Sequence, residues 1–151
     1  MHKAKGENVG INPFIFSLSI PVTRMVEHKG SEVNSYLVER EGITKLYHNE
    51  FARFKVQQLS ECGLRLLVFI AYKLEPGEDI IKLNPKEFVE YSGLSLKSFY
   101  NAVNSVQSMA IIAPVAGKKS TFWINPSILF CGSRIAKYPD NVVVKSTFNK
   151  K

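Results

Sequence analysis

The stretch that most constrains the fold is residues 84–109, where two helix signatures stand only three residues apart. Asn84 followed by Pro85 opens the first: Asn caps a helix by accepting from first-turn amides, and proline suits the first helical position because it lacks only an amide that would be unbonded there. Ser92-Gly93-Leu94 is its exit, and Ser95 caps a second helix running from Leu96 to about Met109. Gly93 can take the left-handed conformation that lets two helices meet at a steep angle, with Leu94 placed to plug the space between them. This is the spacing of a helix-turn-helix.

The flanking segments extend the pattern. Residues 51–74 carry helical periodicity, with Ser60 a cap, Leu64, Leu67, Val68, Ala71 and Leu74 on one face, and Pro76-Gly77 as the stop. Residues 78–83 read as a short strand with Ile81 and Leu83 inward, and residues 111–115 and 121–125 as two strands joined by Ala116-Gly117-Lys118-Lys119-Ser120. Upstream, Ser17 and Ser19 alternate with Phe16, Leu18 and Ile20, which predicts a half-buried strand that Pro21 ends or confines to an edge. Residues 34–39 and 43–49 flank Arg40-Glu41-Gly42, the pattern of a hairpin. The expected fold class is α+β, a winged helix-turn-helix with an N-terminal β-rich extension. It divides into a flexible arm (1–12), a β-rich unit (13–56), the winged helix-turn-helix domain (57–134) and a basic tail (135–151).

On the second helix of the pair, Leu96, Phe99, Val103 and Val106 follow an inward stripe, whereas Lys97, Ser98, Tyr100, Asn101, Asn104, Ser105 and Ser108 lie elsewhere and no acid is present. Exposed helix faces ordinarily carry Glu and Lys, which favour helix and solubility; Ser and Asn are mediocre helix formers. They do suit nucleic acid, since Asn can bond adenine bidentately and Ser, Lys and a helix N-terminus bind phosphate oxygens. Lys97, Ser98, Asn101 and Asn104 are expected to face the groove, and Ser95 and Tyr100 the backbone. Lys118, Lys119 and Ser120, at the tip of the 111–125 hairpin, are expected on flanking phosphates. Trp123 reads as core or edge packing.

Charge agrees. From Ser92 onward eight basic residues (Lys97, Lys118, Lys119, Arg134, Lys137, Lys145, Lys150 and Lys151) face one acid, Asp140, a surplus equal to the +7 of the whole chain. Such asymmetry points to a polyanionic partner, because cations that neutralise phosphates release condensed counterions. No run is long and apolar enough to span a bilayer: residues 64–74 are interrupted by Arg65 and Lys73. The opening MHKAKGENVG has no signal-peptide core, and Cys62 and Cys131 form no metal-type or disulfide pattern. A reduced, soluble, cytoplasmic protein is expected. His2, His28 and His48 are isolated, no phosphate loop or nucleophile elbow is present, and His48-Asn49-Glu50 reads as a solvated strand end. Neither an enzyme nor a cofactor or metal is expected.

Residues 94–134, LSLKSFYNAVNSVQSMAIIAPVAGKKSTFWINPSILFCGSR, resemble winged-helix plasmid replication and maintenance proteins of the RepL type. Those carry a helix-turn-helix, a wing strand and an Ile-Asn-Pro segment leading to an aromatic, a glycine and an arginine; the matching residues are Ile124, Asn125, Pro126, Phe130, Gly132 and Arg134, with Cys131 where a lysine is expected. The resemblance reaches back to the helix near 60. It implies sequence-specific binding to double-stranded origin repeats, with Arg134 a further DNA contact, and initiation by recruiting host replication proteins. A winged-helix transcription regulator (an autorepressor) and a winged helix used as a protein-interaction module are the alternatives. If two-fold sites are bound, a homodimer through residues 14–38 is expected.

Overall fold

The structure is a computed structural model that describes residues 11–39 and 42–145. Contacts divide the chain into two compact units, Met1–Gly42 and Ile43–Lys151. The division falls earlier than the expected boundary at 56, and most of the expected 1–12 arm lies outside the described residues.

In the first unit, Pro13–Ser17 form a single 3-10 turn, with Asn12 Oδ1 accepting from the Phe14 amide at 2.9 Å. The strand expected from Phe14 is therefore not formed there: Pro13 fixes a turn-compatible φ and Asn12 caps it. Strand β1 begins after Pro21, at Val22–Lys29, and pairs antiparallel with β2, Glu32–Glu39, from Val22 opposite Glu39 to Lys29 opposite Glu32. Gly30, at φ +62°, supplies the positive φ that this two-residue connection requires. The hairpin expected across residues 40–42 is thus replaced by one across Gly30-Ser31. Its Arg40 and Glu41 lie outside the described residues.

The second unit takes up the other half of that expected hairpin. Strand β3, Thr44–Leu46, pairs antiparallel with β7, Leu129–Cys131. Every residue of β7 is buried, so its main-chain polar groups need protein partners. β3 meets that need from more than eighty positions away, a pairing that local turn chemistry does not foreshadow.

Residues 51–74 form two helices. Helix α1, Glu50–Gln57, is capped by Asn49, whose Oδ1 accepts from the Ala52 amide at 2.7 Å. Helix α2, Glu61–Lys73, is capped by Ser60. The buried side of α2 is Gly63, Leu66, Leu67, Phe69 and Ile70, with the C-cap Leu74 also buried, while Leu64 and Val68 stand half-exposed. The expected face is therefore rotated: α2 is apolar nearly all round, so periodicity alone does not select the side that other elements cover. Strand β4 (Ile80–Lys82) leads to helix α3 (Pro85–Ser92), capped by Asn84, and Gly93 at φ +75° turns the chain into helix α4, Leu96–Ser108. Strands β5 (Ile112–Pro114) and β6 (Thr121–Ile124) complete a three-stranded antiparallel sheet in the order β4-β6-β5. Trp123, on its central strand, is 45% exposed.

Phe88 is fully buried at the centre of the three helices, with ring centroids 5.5 Å from Phe69 of α2 and 5.7 Å from Phe99 of α4. Leu94 packs partly buried against the same core, as its place in the turn suggested. Where α2 and α4 approach, a Cβ on Gly63 would lie 2.7 Å from Ser105 Oγ and 3.0 Å from Ser105 Cβ. That hydroxyl accepts from the Ser60 amide at 2.9 Å. Gly63→Ala is expected to lower the stability of the second unit by about 1–2 kcal/mol, because overpacking and the displaced hydrogen bond outweigh alanine's better helix propensity. A thermal melt at or above the parent midpoint would show that the two helices can separate without cost.

Residues 135–145 of the expected basic tail are among those described. Helix α5, Arg134–Lys137, and a 3-10 turn at Pro139–Asn141 fold back on the unit: Tyr138 Oη donates to Asp79 Oδ2 at 2.6 Å, and Lys137 Nζ lies 4.0 Å from Asp79 Oδ1. Lys150 and Lys151 lie outside the described residues. Burial, the hydrogen bond to Asp79 and the charge of that carboxylate push the Tyr138 phenol up from 10.0 to about 12. Since the folded value lies above the unfolded one, the stabilisation is complete below pH 10 and is lost as pH rises toward 12. A 295 nm titration should show one late-ionising tyrosine that Tyr138→Phe removes; an unchanged curve in that variant would refute the assignment.

Candidate nucleic-acid interface

Helix α4 owes its position to its apolar stripe, since its Ser and Asn content gives it little intrinsic helicity. Phe99, Ala102 and Val106 are buried, with Val103 at their edge. Lys97, Asn101, Asn104 and Ser108 are exposed at i, i+4, i+7 and i+11, a line along the opposite side. Leu96, expected to point inward, is 52% exposed, and Tyr100 is 53% exposed with its ring edge-on to Phe99 at 5.2 Å. Side chains of a helix's first turn project past its N-terminal end, which leaves Leu96 beyond the core that Phe99 reaches.

Four serines on or capping α4 have structural partners, Ser108 Oγ donating to the Ser105 carbonyl at 2.9 Å. Ser95 Oγ accepts from the Ser98 amide at 3.1 Å and donates to Ser98 Oγ at 3.1 Å, so both hydroxyls belong to the cap. Ser105 faces α2 through its bond to Ser60. The exposed residues of α4 are therefore Leu96, Lys97, Tyr100, Asn101, Asn104, Gln107 and Ser108, without a carboxylate among them.

The β5–β6 turn holds the second group. Val115 N donates to the Thr121 carbonyl at 2.9 Å and Lys118 N to the Val115 carbonyl at 3.2 Å. Gly117 (φ +76°) and Ser120 (φ +54°) adopt left-handed conformations. Leu83 N donates to the Ser120 carbonyl at 2.8 Å, tying the turn to β4. Lys118, Lys119 and Ser120 are all exposed. Lys82, which the sequence reading passed over, is exposed directly opposite Thr121 and adds a cation beside this turn. Its outward place in the alternating strand 78–83 was the available signal.

Arg134 does not join this group. Its guanidinium lies 3.5 Å from the centre of the Tyr47 ring and donates to the Pro126 carbonyl at 2.9 Å, partners outside both α4 and the β5–β6 turn. The rest of the Ile-Asn-Pro segment is scaffold. Asn125 Nδ2 donates to the Ala110 carbonyl at 2.9 Å and its Oδ1 accepts from the Ser127 amide at 2.9 Å, linking the end of α4 to the sheet. Ile124, Phe130 and Cys131 are buried. Gly132, at φ +101°, lets the chain pass Gly77, whose amide would be 3.0 Å from an added Cβ.

Among the described residues no group of three His, Cys, Asp or Glu side chains is gathered as metal ligands, and no helix is long and apolar enough to cross a membrane. His48 is exposed, and its neighbour Asn49 caps α1. No protein family, curated protein sequence or solved structure matches the chain.

Proposed function

We propose that the second unit is a winged helix-turn-helix that binds double-stranded DNA sequence-specifically, with α4 in the major groove and the β5–β6 turn as a wing on the backbone. The observation that carries this reading is the acid-free outer line of α4, Lys97, Asn101, Asn104 and Ser108, set opposite its buried stripe. A helix 10–12 Å across fits a major groove about 12 Å wide, and Lys82, Lys118 and Lys119 supply cations at the wing for flanking phosphates. The RepL-type resemblance extends the proposal to a plasmid or mobile-element replication initiator that recruits host replication proteins. Mobility-shift selection over random duplexes is expected to enrich a defined motif; recovery of nothing above bulk DNA would end the sequence-specific reading. Whether the gene sustains replication of a DNA lacking another origin separates initiation from autorepression.

A second copy of the chain is the partner proposed for the first unit. All sixteen residues of β1 and β2 are exposed, Met25, Val26, Tyr36 and Leu37 among them. A lone two-stranded hairpin is marginally stable in water, and a dimer supplies the two-fold symmetry that paired half-sites require. The same exposure favours the interaction-module alternative, in which another protein covers the hairpin. Sedimentation of the full chain at micromolar concentration is expected to give a dimer mass; a monomer would argue for that alternative.

A further inference from the structure

We infer that Leu96 reads the C5-methyl group of a thymine, with Asn101 bonding a nearby adenine, so that the recognised site contains A·T pairs under the first half of α4. The inference rests on the DNA-binding reading and deepens it by naming bases. Leu96 is the first residue of α4 and is 52% exposed, although the helix's apolar periodicity assigns it inward. A single exposed leucine is unremarkable on a protein surface; its place is what matters. It precedes Lys97 on the turn of α4 whose N-terminal end would enter the groove first, next to the Ser95 cap. Among the base edges of the major groove, the thymine methyl is the one apolar feature, so an aliphatic side chain there discriminates by contact with that methyl and by desolvating nothing else favourably.

Asn101 lies five residues on, exposed, and has no hydrogen-bond partner among the described side chains that would occupy its amide. At about 100° and 1.5 Å per residue Asn101 stands roughly 140° round the helix from Leu96 and roughly 7.5 Å further along its axis, so Leu96 meets base edges from the N-terminal end, past which first-turn side chains project, and Asn101 meets them from the outward line. Its amide offers one donor and one acceptor together, the pair that matches adenine N7 and N6. Lys97, between them in sequence, carries a single point of positive charge suited to the adjacent phosphates.

The test uses the full chain and the duplex recovered by selection. Each thymine is replaced in turn by deoxyuridine, which removes the methyl and leaves pairing unchanged. One position is expected to weaken binding of the parent protein about fourfold, the factor that one buried methyl supplies. Leu96→Ala, a change at an exposed site, should lose a similar factor on the thymine duplex and show no further loss with deoxyuridine at that position. Asn101→Ala should relax selectivity for adenine nearby. The inference is overturned if every single replacement leaves affinity within twofold, if the deoxyuridine loss persists undiminished in Leu96→Ala, or if the selected motif has no A·T pair. Each of these is read with duplex binding intact. Absence of any duplex binding would instead remove the reading beneath it.

Discussion

Simultaneous charge reversal at Lys97, Lys118 and Lys119 is expected to lower duplex affinity by on the order of a hundredfold or more at low salt, and to flatten the dependence of log affinity on log salt by roughly three units, about 0.9 for each phosphate contact removed. The three lysines are exposed, on α4 and on the β5–β6 turn. The ion pairs among the described residues, Lys73–Glu87 at 2.7 Å and Lys137–Asp79 at 4.0 Å, involve none of them. The fold should therefore survive. A glutamate at position 97 even meets the positive end of α4, which favours acidic side chains by about 0.3–1 kcal/mol. Binding and stability are thus predicted to move in opposite directions at that site, so loss of binding would not be loss of structure. Single Lys→Ala changes should each reduce the salt slope by about one and weaken all sequences alike. A triple variant that binds with an unaltered slope would move the nucleic-acid contact elsewhere and favour the protein-interaction reading.

Phe88→Ala is expected to cost about 3–5 kcal/mol, the range for deleting a buried aromatic side chain. Whole domains retain only about 5–15 kcal/mol, so the variant should lose a large fraction of the unit's stability and unfold at a clearly lower urea concentration. Phe88 is 0% exposed and its ring meets Phe69 edge-on, at an interplanar angle of 80°, and Phe99 at 51°. One side chain thus joins α2, α3 and α4, and its removal leaves a cavity that capped helices cannot readily close around. Urea denaturation followed by the fluorescence of Trp123, the only tryptophan, measures this. Phe14→Ala, at a residue 78% exposed, is the control and should stay within about 0.5 kcal/mol. A Phe88→Ala loss below about 1 kcal/mol would mean that this cluster does not hold the helices together.

Legibility divides by sequence distance. Asn49 was read only as part of a solvated strand end, yet Ser60, Asn84, Ser95 and Gly93 act as the residue types predict, because a cap or a left-handed turn is decided by atoms within four positions. The helix pair α3 and α4 and the β5–β6 turn were visible for that reason. The buried faces were less so. Leu64 and Val68 were expected inside and are half-exposed, and Leu96 was expected inside and is exposed, since an apolar residue can satisfy the periodicity without having a neighbour to pack on.

The candidate surface shows the same split. Lys97, Asn101, Asn104, Lys118 and Lys119 were legible from composition and spacing alone, and Lys82 was not. The withdrawal of Ser98 and Ser105 into hydrogen bonds was not, and neither was the stacking of Arg134 on Tyr47. What the chain determined by itself is the set of local devices: caps, turns, alternating strands and an acid-free helix. The tertiary structure alone decided that β3 pairs with β7 and which side of each helix meets water. Local devices depend on short-range sterics and hydrogen bonds written in adjacent residues, whereas strand partners and buried faces depend on what the rest of the chain brings alongside.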